Sequence, residues 1–322
     1  MNAQRGIVVG VDGSLGADAA LAWAADEAHR RGSGLLVAHV GDEPDLATLS
    51  PATAAAVTSD IAGHAGWLLT AAAATVASRR PSVEVTTVLR PGNSVEKLVE
   101  LSDRAELVVL GRRGAHTRFD ALLGGVSHRV AAYARCPVVV VPNLAQAWAG
   151  EQATVAVAVG RSSGAMSALE AGFQHAQRQR ARVLAVRAWG EVDWVHSMSM
   201  YTAESAERWR LASQHLLDHC IHRVASNYPS VSVDARLIRG QTITALQDAA
   251  LEADLLLIGG RHRDDLRMSR LGWTATVLLA QAPCPVEVAS GIPLRPADGD
   301  LVRAANLANT GRHEDSGVTW QR

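Results

Sequence analysis

The sequence predicts an α/β protein made of two tandem, doubly wound, parallel five-stranded sheet domains. Among the few topologies open to each, strand order 3-2-1-4-5 is the one expected, with the two pairing as an intramolecular pseudo-dimer. Three observations carry the fold class. Strand-length apolar runs alternate with helix-length amphipathic segments along the chain. The pattern is written twice, "LVVLGRRG" returning as "LLLIGGRH" and "ARCPVVVV" as "APCPVEVA". The offset is constant: Gly92 and Gly240, Gly111 and Gly259, Gly124 and Gly272, Cys136 and Cys284, and Pro137 and Pro285 are each 148 residues apart. Residues 1–143 are thus expected to hold one unit and 153–291 a second, with "NLAQAWAGEQ" joining them. Residues 292–322 have no sustained periodicity and read as a mobile tail.

In the first copy "GIVVGVD" is a short apolar strand. A helix is expected from about Asp18 to Arg31, with Ala20, Leu21, Ala24, Ala25 and Ala28 on one stripe. "GLLVAHV" is a second strand, followed by a long helix from about Pro51 to Ser78. "VEVTTVL" alternates as a third strand. A helix from Ser94 to Ser102 leads into "ELVVLG", and another from about Gly125 to Ala134 leads into "CPVVVVP". Right-handed crossovers then leave few topologies. With strands one and four adjacent, Asp12 and Gly111, 99 residues apart in sequence, converge at the switch point where open α/β sheets bind ligands.

Composition narrows the function classes. The 31 basic and 32 acidic residues balance, which argues against a nucleic-acid surface. Aromatics are 4% of the chain, as suits alanine-rich helices packed closely on a sheet. The alanine-rich stretch 54–77 is interrupted by Asp60 and His64 and reads as an amphipathic helix rather than a membrane span. Cys136, Cys220 and Cys284 are odd in number and show no CxxC spacing, so reduced thiols are expected. No apolar leader opens "MNAQRGIVVGVDGS", and a cytoplasmic location is expected.

The stretch "GRRGAHTRFDALLGGVS" follows the fourth strand. Glycines at 111 and 114 would let backbone N–H groups approach phosphate oxygens. Gly124, Gly125 and Val126 would open a helix whose N-terminus favours negative charge. Arg112 and Arg113 add positive charge, and Ser127 offers a hydroxyl. There is no GxxxxGK[ST] motif and no GxGxxG after a strand, which sets aside P-loop NTPases and dinucleotide dehydrogenases.

"GIVVGVDGS", "GRRG", nine residues, "GGVS" and "CPVVVVP" together resemble a universal stress protein domain. The family's nucleotide pattern is Gly, two residues, Gly, nine residues, Gly, then Ser or Thr, and Gly111, Gly114 and Gly124 fit it. Two such domains resemble the tandem members common in actinobacteria. The resemblance implies ATP as ligand and a role in stress adaptation; magnesium with the nucleotide and a protein partner that reads it are expected, and with no general base or metal set evident an enzyme is not. It places Gly10 and Asp12 at the end of strand one near the adenosine, and the Val40 backbone near adenine. It also implies that the final strands, Val138 to Val141 and Val286 to Val288, join the halves; a homodimer of the tandem chain is compatible with this. One departure stands out: Gly125 occupies the place of the Ser or Thr. The lost hydrogen bond to phosphate, worth about 1.5–3 kcal/mol, predicts weak rather than absent binding.

The second copy departs further. Asp12 becomes Gly160, Gly114 becomes His262, Gly125 becomes Trp273 and Ser127 becomes Ala275. An indole there is expected to fill the cradle, making this half structural or regulatory. A nucleotide-free interaction scaffold, with both sites degenerate, is the alternative reading. An adenylate-handling hydrolase or ligase is a third, and the absent catalytic set argues against it.

Other constellations have plainer accounts. His215, His219 and His222 share a helix face, a spacing that can chelate a metal but far more often describes a solvated face. Ser14 in "DGS" has no GxSxG elbow and reads as a helix cap. Trp189, Trp194, Met198 and Met200 suggest either a partner surface or aromatics tucked under a loop.

Overall fold

The computed structural model describes residues 6–41, 50–112, 125–143, 152–160, 164–190, 203–260 and 271–289. The first half runs β1 (Ile7–Gly10), α1 (Leu15–Arg31), β2 (Leu35–Gly41), α2 (Pro51–Arg79), β3 (Val85–Pro91), α3 (Ser94–Ser102), β4 (Leu107–Gly111), α4 (Val126–Tyr133) and β5 (Val138–Val141). The second repeats it as β6 (Thr154–Ala158), α5 (Ala165–Gln179), β7 (Arg182–Trp189), α6 (Ala203–Ala225), β8 (Val233–Arg239), α7 (Thr242–Leu251), β9 (Leu255–Gly259), α8 (Trp273–Gln281) and β10 (Val286–Ala289).

Each half has the expected strand order, but the two sheets are not separate. They fuse into one ten-stranded sheet, β3-β2-β1-β4-β5-β10-β9-β6-β7-β8. All pairs within a half are parallel, whereas β5 and β10 pair antiparallel, with Val138 opposite Val288, Val139 opposite Glu287 and Val140 opposite Val286. β5 is an all-valine edge and β10 an apolar one interrupted by Glu287, and pairing removes two exposed edges at once.

Helix α1 begins at Leu15, not Asp18. Ser14 is extended and its Oγ accepts from the Ala17 N–H at 3.2 Å, so the helix starts where its orphan donors first find a partner. Helix α2 carries a 25-residue segment, Ala55–Arg79, long and apolar enough by composition to cross a membrane. Its Leu68, Leu69, Ala72 and Val76 are buried in the core with α1 and the sheet, and Ala65 is buried too, while most of the segment, Ile61 and Trp67 included, is exposed.

The faces of the sheet differ. On the face covered by α3, α4, α7 and α8, one apolar core runs unbroken through both halves. On the other face the cores under α1–α2 and α5–α6 are distinct. Between those two lies a buried polar cluster. His175 of α5 donates from Nε2 to Glu287 Oε2 of β10 at 2.8 Å. Its Nδ1 lies 3.4 Å from Glu27 Oε1 of α1, without hydrogen-bond geometry. Glu27 is fully buried, and Arg30 and Arg31 donate to it at 2.9 and 2.6 Å. Burial alone would raise the Glu27 carboxyl; His175, Arg31 and Arg30 outweigh it and hold it below the usual glutamate range.

All three cysteines are free and buried.

Candidate functional site

At the carboxyl ends of β1, β2 and β4 lies a cleft of about 430 Å³. Gly10, Asp12, Val40, Gly111, Arg112, Gly125, Val126 and Ser127 all line it. Arg113, Gly114 and Gly124 lie outside the described residues.

Asp12 is held by a tight turn. Its Oδ1 accepts from the Ser14 N–H at 3.0 Å, and Gly13 between them has φ +78°, which favours glycine. Val40 is the penultimate residue of β2. Gly125 caps α4 with φ −58° and ψ 157°, and no side chain caps that helix. A Cβ built on Gly125 meets nothing within 4 Å. The first N–H groups of α4 therefore have no side-chain acceptor at the cap, which is an anion-binding geometry.

Three residues do something other than expected. Gly111 is demanded by packing: a Cβ there would overlap the backbone of Gly16 and Ala17 in α1. Its twin Gly259 would likewise overlap Gly164 and Ala165 of α5, so this glycine recurs because helix and strand touch backbone to backbone. Arg112 sends its guanidinium away from a phosphate. It donates to the carbonyls of Ala280 at 2.9 Å and Ala282 at 2.6 Å, at the end of α8 in the other half. Those carbonyls are the orphan acceptors of a helix C-terminus, a good seat for a cation. Ser127 is buried and donates to the Arg112 carbonyl at 3.4 Å.

The cleft also has walls that the sequence reading missed: His39, Gly41, His64, Ser94 and Leu98. His39 holds Nδ1 2.8 Å from the Val11 carbonyl; a carbonyl only accepts, so the proton sits on Nδ1. His39 is next to Val40 in β2, and its position at a strand's carboxyl end was the available signal. His64 stacks on Trp67, with ring centroids 6.3 Å apart, and lies on α2, whose placement over the cleft depends on tertiary packing.

In the second half, Ala275 is buried. Trp273 does not fill a cradle. It is the first residue of α8 and is 68% exposed. His262 lies outside the described residues, as do Trp194, Met198 and Met200. Trp189 lies under Arg239, whose Cζ is 5.7 Å from the ring. His215, His219 and His222 line an open hollow with Asp218. Among the described residues no three His, Cys, Asp or Glu side chains converge as a metal site.

Fold and cleft define a class: a tandem, doubly wound α/β protein with a ligand-sized cleft at the switch point of its first half. The profile of the universal stress protein family matches residues 4–142 and again 153–289. The chain belongs to that family. It is 31% identical over 293 residues to universal stress protein Rv2005c of Mycobacterium tuberculosis, covering 89% of this chain and 97% of that one. It is also 31% identical over 303 residues to universal stress protein Rv2623 of the same organism, with the same coverage. The fold is shared with a universal stress protein of Archaeoglobus fulgidus, at TM-score 0.67 and 18% identity over 90% of this chain and 100% of that chain.

Proposed function

We propose that this universal stress protein binds ATP in the first-half cleft and acts as a non-enzymatic, nucleotide-dependent regulator in the cytoplasm. The observation that carries this reading is the convergence of Asp12, the Val40 backbone and the uncapped start of α4 on one cleft of about 430 Å³. A cleft of that size is in the usual range for small-molecule sites. The residues fit the ligand: Asp12 offers an acceptor to a ribose hydroxyl, β2 offers backbone to a base, and α4 offers N–H groups to phosphate. Among the described lining residues Asp12 is the one carboxylate, so magnesium would arrive on the phosphates, keeping most of its waters. For regulation, ATP must favour one conformation or interface over another, which a protein partner then reads.

The Arg112 guanidinium, committed to α8, favours a second reading in which the tandem fold is a nucleotide-free scaffold. Native mass spectrometry of the freshly purified full chain separates the two. One adenine nucleotide per chain, lost in Asp12→Ala, is the expected result. No nucleotide at millimolar ATP would falsify the regulator and leave the scaffold.

A further inference from the structure

A second hollow lies on the same sheet face as the cleft, beside α3 and nearer the amino ends of β1 and β2. It is a groove of about 460 Å³ lined by Gly6, Val8, Leu36, Leu101, Arg90, Lys97, Glu100 and Arg104. The floor is apolar: Val8 is buried, and Leu36 and Leu101 are half-buried against the core. The rim is basic. Lys97 is neutralised by Glu100 at 3.0 and 3.1 Å. Arg90 and Arg104 are exposed, and among the described residues neither makes an ion pair or side-chain hydrogen bond.

The second half supplies an internal control at the constant offset of 148 residues. There Arg236 on β8 reaches across to Glu252, just past the end of α7, with bonds of 2.9 and 3.0 Å. Asp234 steadies the same guanidinium at 3.1 Å. This strap spans the equivalent hollow. Helix α7 also sits low on β7, with Ala245 and Ala249 buried where the first half has Lys97 and Leu101. In the first half the strap is gone. Val88 stands for Arg236, Thr86 for Asp234, and Arg104 for Glu252. The position that carries the strap's carboxylate therefore holds a guanidinium, and the strand opposite offers it only Val88. Arg90 stands where the second half has Ile238.

We propose that this groove is a binding site, separate from the nucleotide cleft, for a small carboxylate with an apolar body. The carboxylate would take two parallel N–H donors of the Arg104 guanidinium, a planar fork that suits it, and the apolar body would lie on Val8 and Leu36. The ligand would thus bring the missing half of the strap. The site belongs to the first half alone and does not depend on how that half's other cleft is used.

The test is isothermal titration of the full chain with octanoate as probe, and octanol and octylamine as controls. Octanoate should bind saturably, one per chain, and octanol and octylamine should bind about tenfold more weakly or not at all, reflecting loss of a charge-assisted hydrogen bond. Arg104→Gln should weaken octanoate by a similar factor. The double variant Val88→Arg/Arg104→Glu, which grafts the strap, should abolish binding while keeping the melting temperature. If the graft lowers the melting temperature, Arg104→Gln decides alone. Octanol binding as tightly as octanoate, unchanged affinity in Arg104→Gln, no saturable binding at millimolar probe, or displacement by ATP each overturns the proposal.

Discussion

Replacing His175 by Leu isolates the energetics of the contact between halves. The side chain keeps most of its volume, so cavity formation is minor. What changes is charge. Glu287 is 2% exposed, and His175 is its only hydrogen-bond or ion-pair partner among the described residues. Glu27 keeps Arg30 and Arg31. The loss therefore falls mainly on Glu287, a buried carboxylate left without a hydrogen bond and with only the longer-range attraction of Arg178. Removing one partner of a buried pair costs about 3–5 kcal/mol. At roughly 2–4 °C per kcal/mol for a unit of this size, the melting temperature should fall by about 6 °C or more. Replacing both partners by apolar groups should cost far less, because no charge is then stranded. The assay is a double-mutant cycle of urea and thermal unfolding on His175→Leu, Glu287→Leu and the pair. The expected coupling is large, with the double variant more stable than His175→Leu alone. Additive effects, or a His175→Leu protein within about 1 kcal/mol of the parent, would refute the reasoning.

Other outcomes follow from the same structure. Glu27 has a depressed pKa when folded, so its contribution is present above the ordinary carboxylate range and fades as pH falls through the folded value; Glu27→Gln should flatten the acid limb of a melting-temperature profile. Gly125→Ser places a hydroxyl in open space at the start of α4, and ATP affinity by titration calorimetry should rise about tenfold or more; no change would mean the position faces away from the ligand. Gly111→Ala should cost about 1–3 kcal/mol in chemical denaturation, because α1 has no room to yield. Arg112→Ala should lower stability by about 1.5–3 kcal/mol, through the lost bonds to α8, yet leave ATP affinity unchanged.

The strand order and the joining of the final strands came with the family resemblance, whereas the alternation of strands and helices and the repeat were legible because each has a linear signature, an apolar period and a constant offset. Part of the cleft was legible for the same reason, since Asp12, Val40 and Gly125 stand at element ends. What escaped was set by contacts between distant segments. Arg112 looked like a phosphate ligand because its loop is glycine-rich, yet its partners are carbonyls in α8, 168 and 170 residues further on. Gly111 looked permissive for a ligand, and only the approach of Gly16 reveals the packing demand. Glu27 stands in "DEAHRR" and His175 in "QHAQRQR", among charges that fit a solvated helix face as well as a buried one. No local pattern announces that the other half will cover them.

The buried cluster carries one more consequence. Glu27 and His175 are themselves 148 residues apart, and so are Val139 and Glu287, which face each other across β5 and β10. The approximate two-fold axis relating the halves therefore runs through this group. Two first halves meeting here would set Glu27 against Glu27 beside a pair of valines. Two second halves would set Glu287 against Glu287 beside a pair of imidazoles. Only the mixed arrangement places an imidazole between two acids, and like charges brought together cost several kcal/mol. The sequence difference at these four positions thus favours each half pairing with the other over pairing with its own kind.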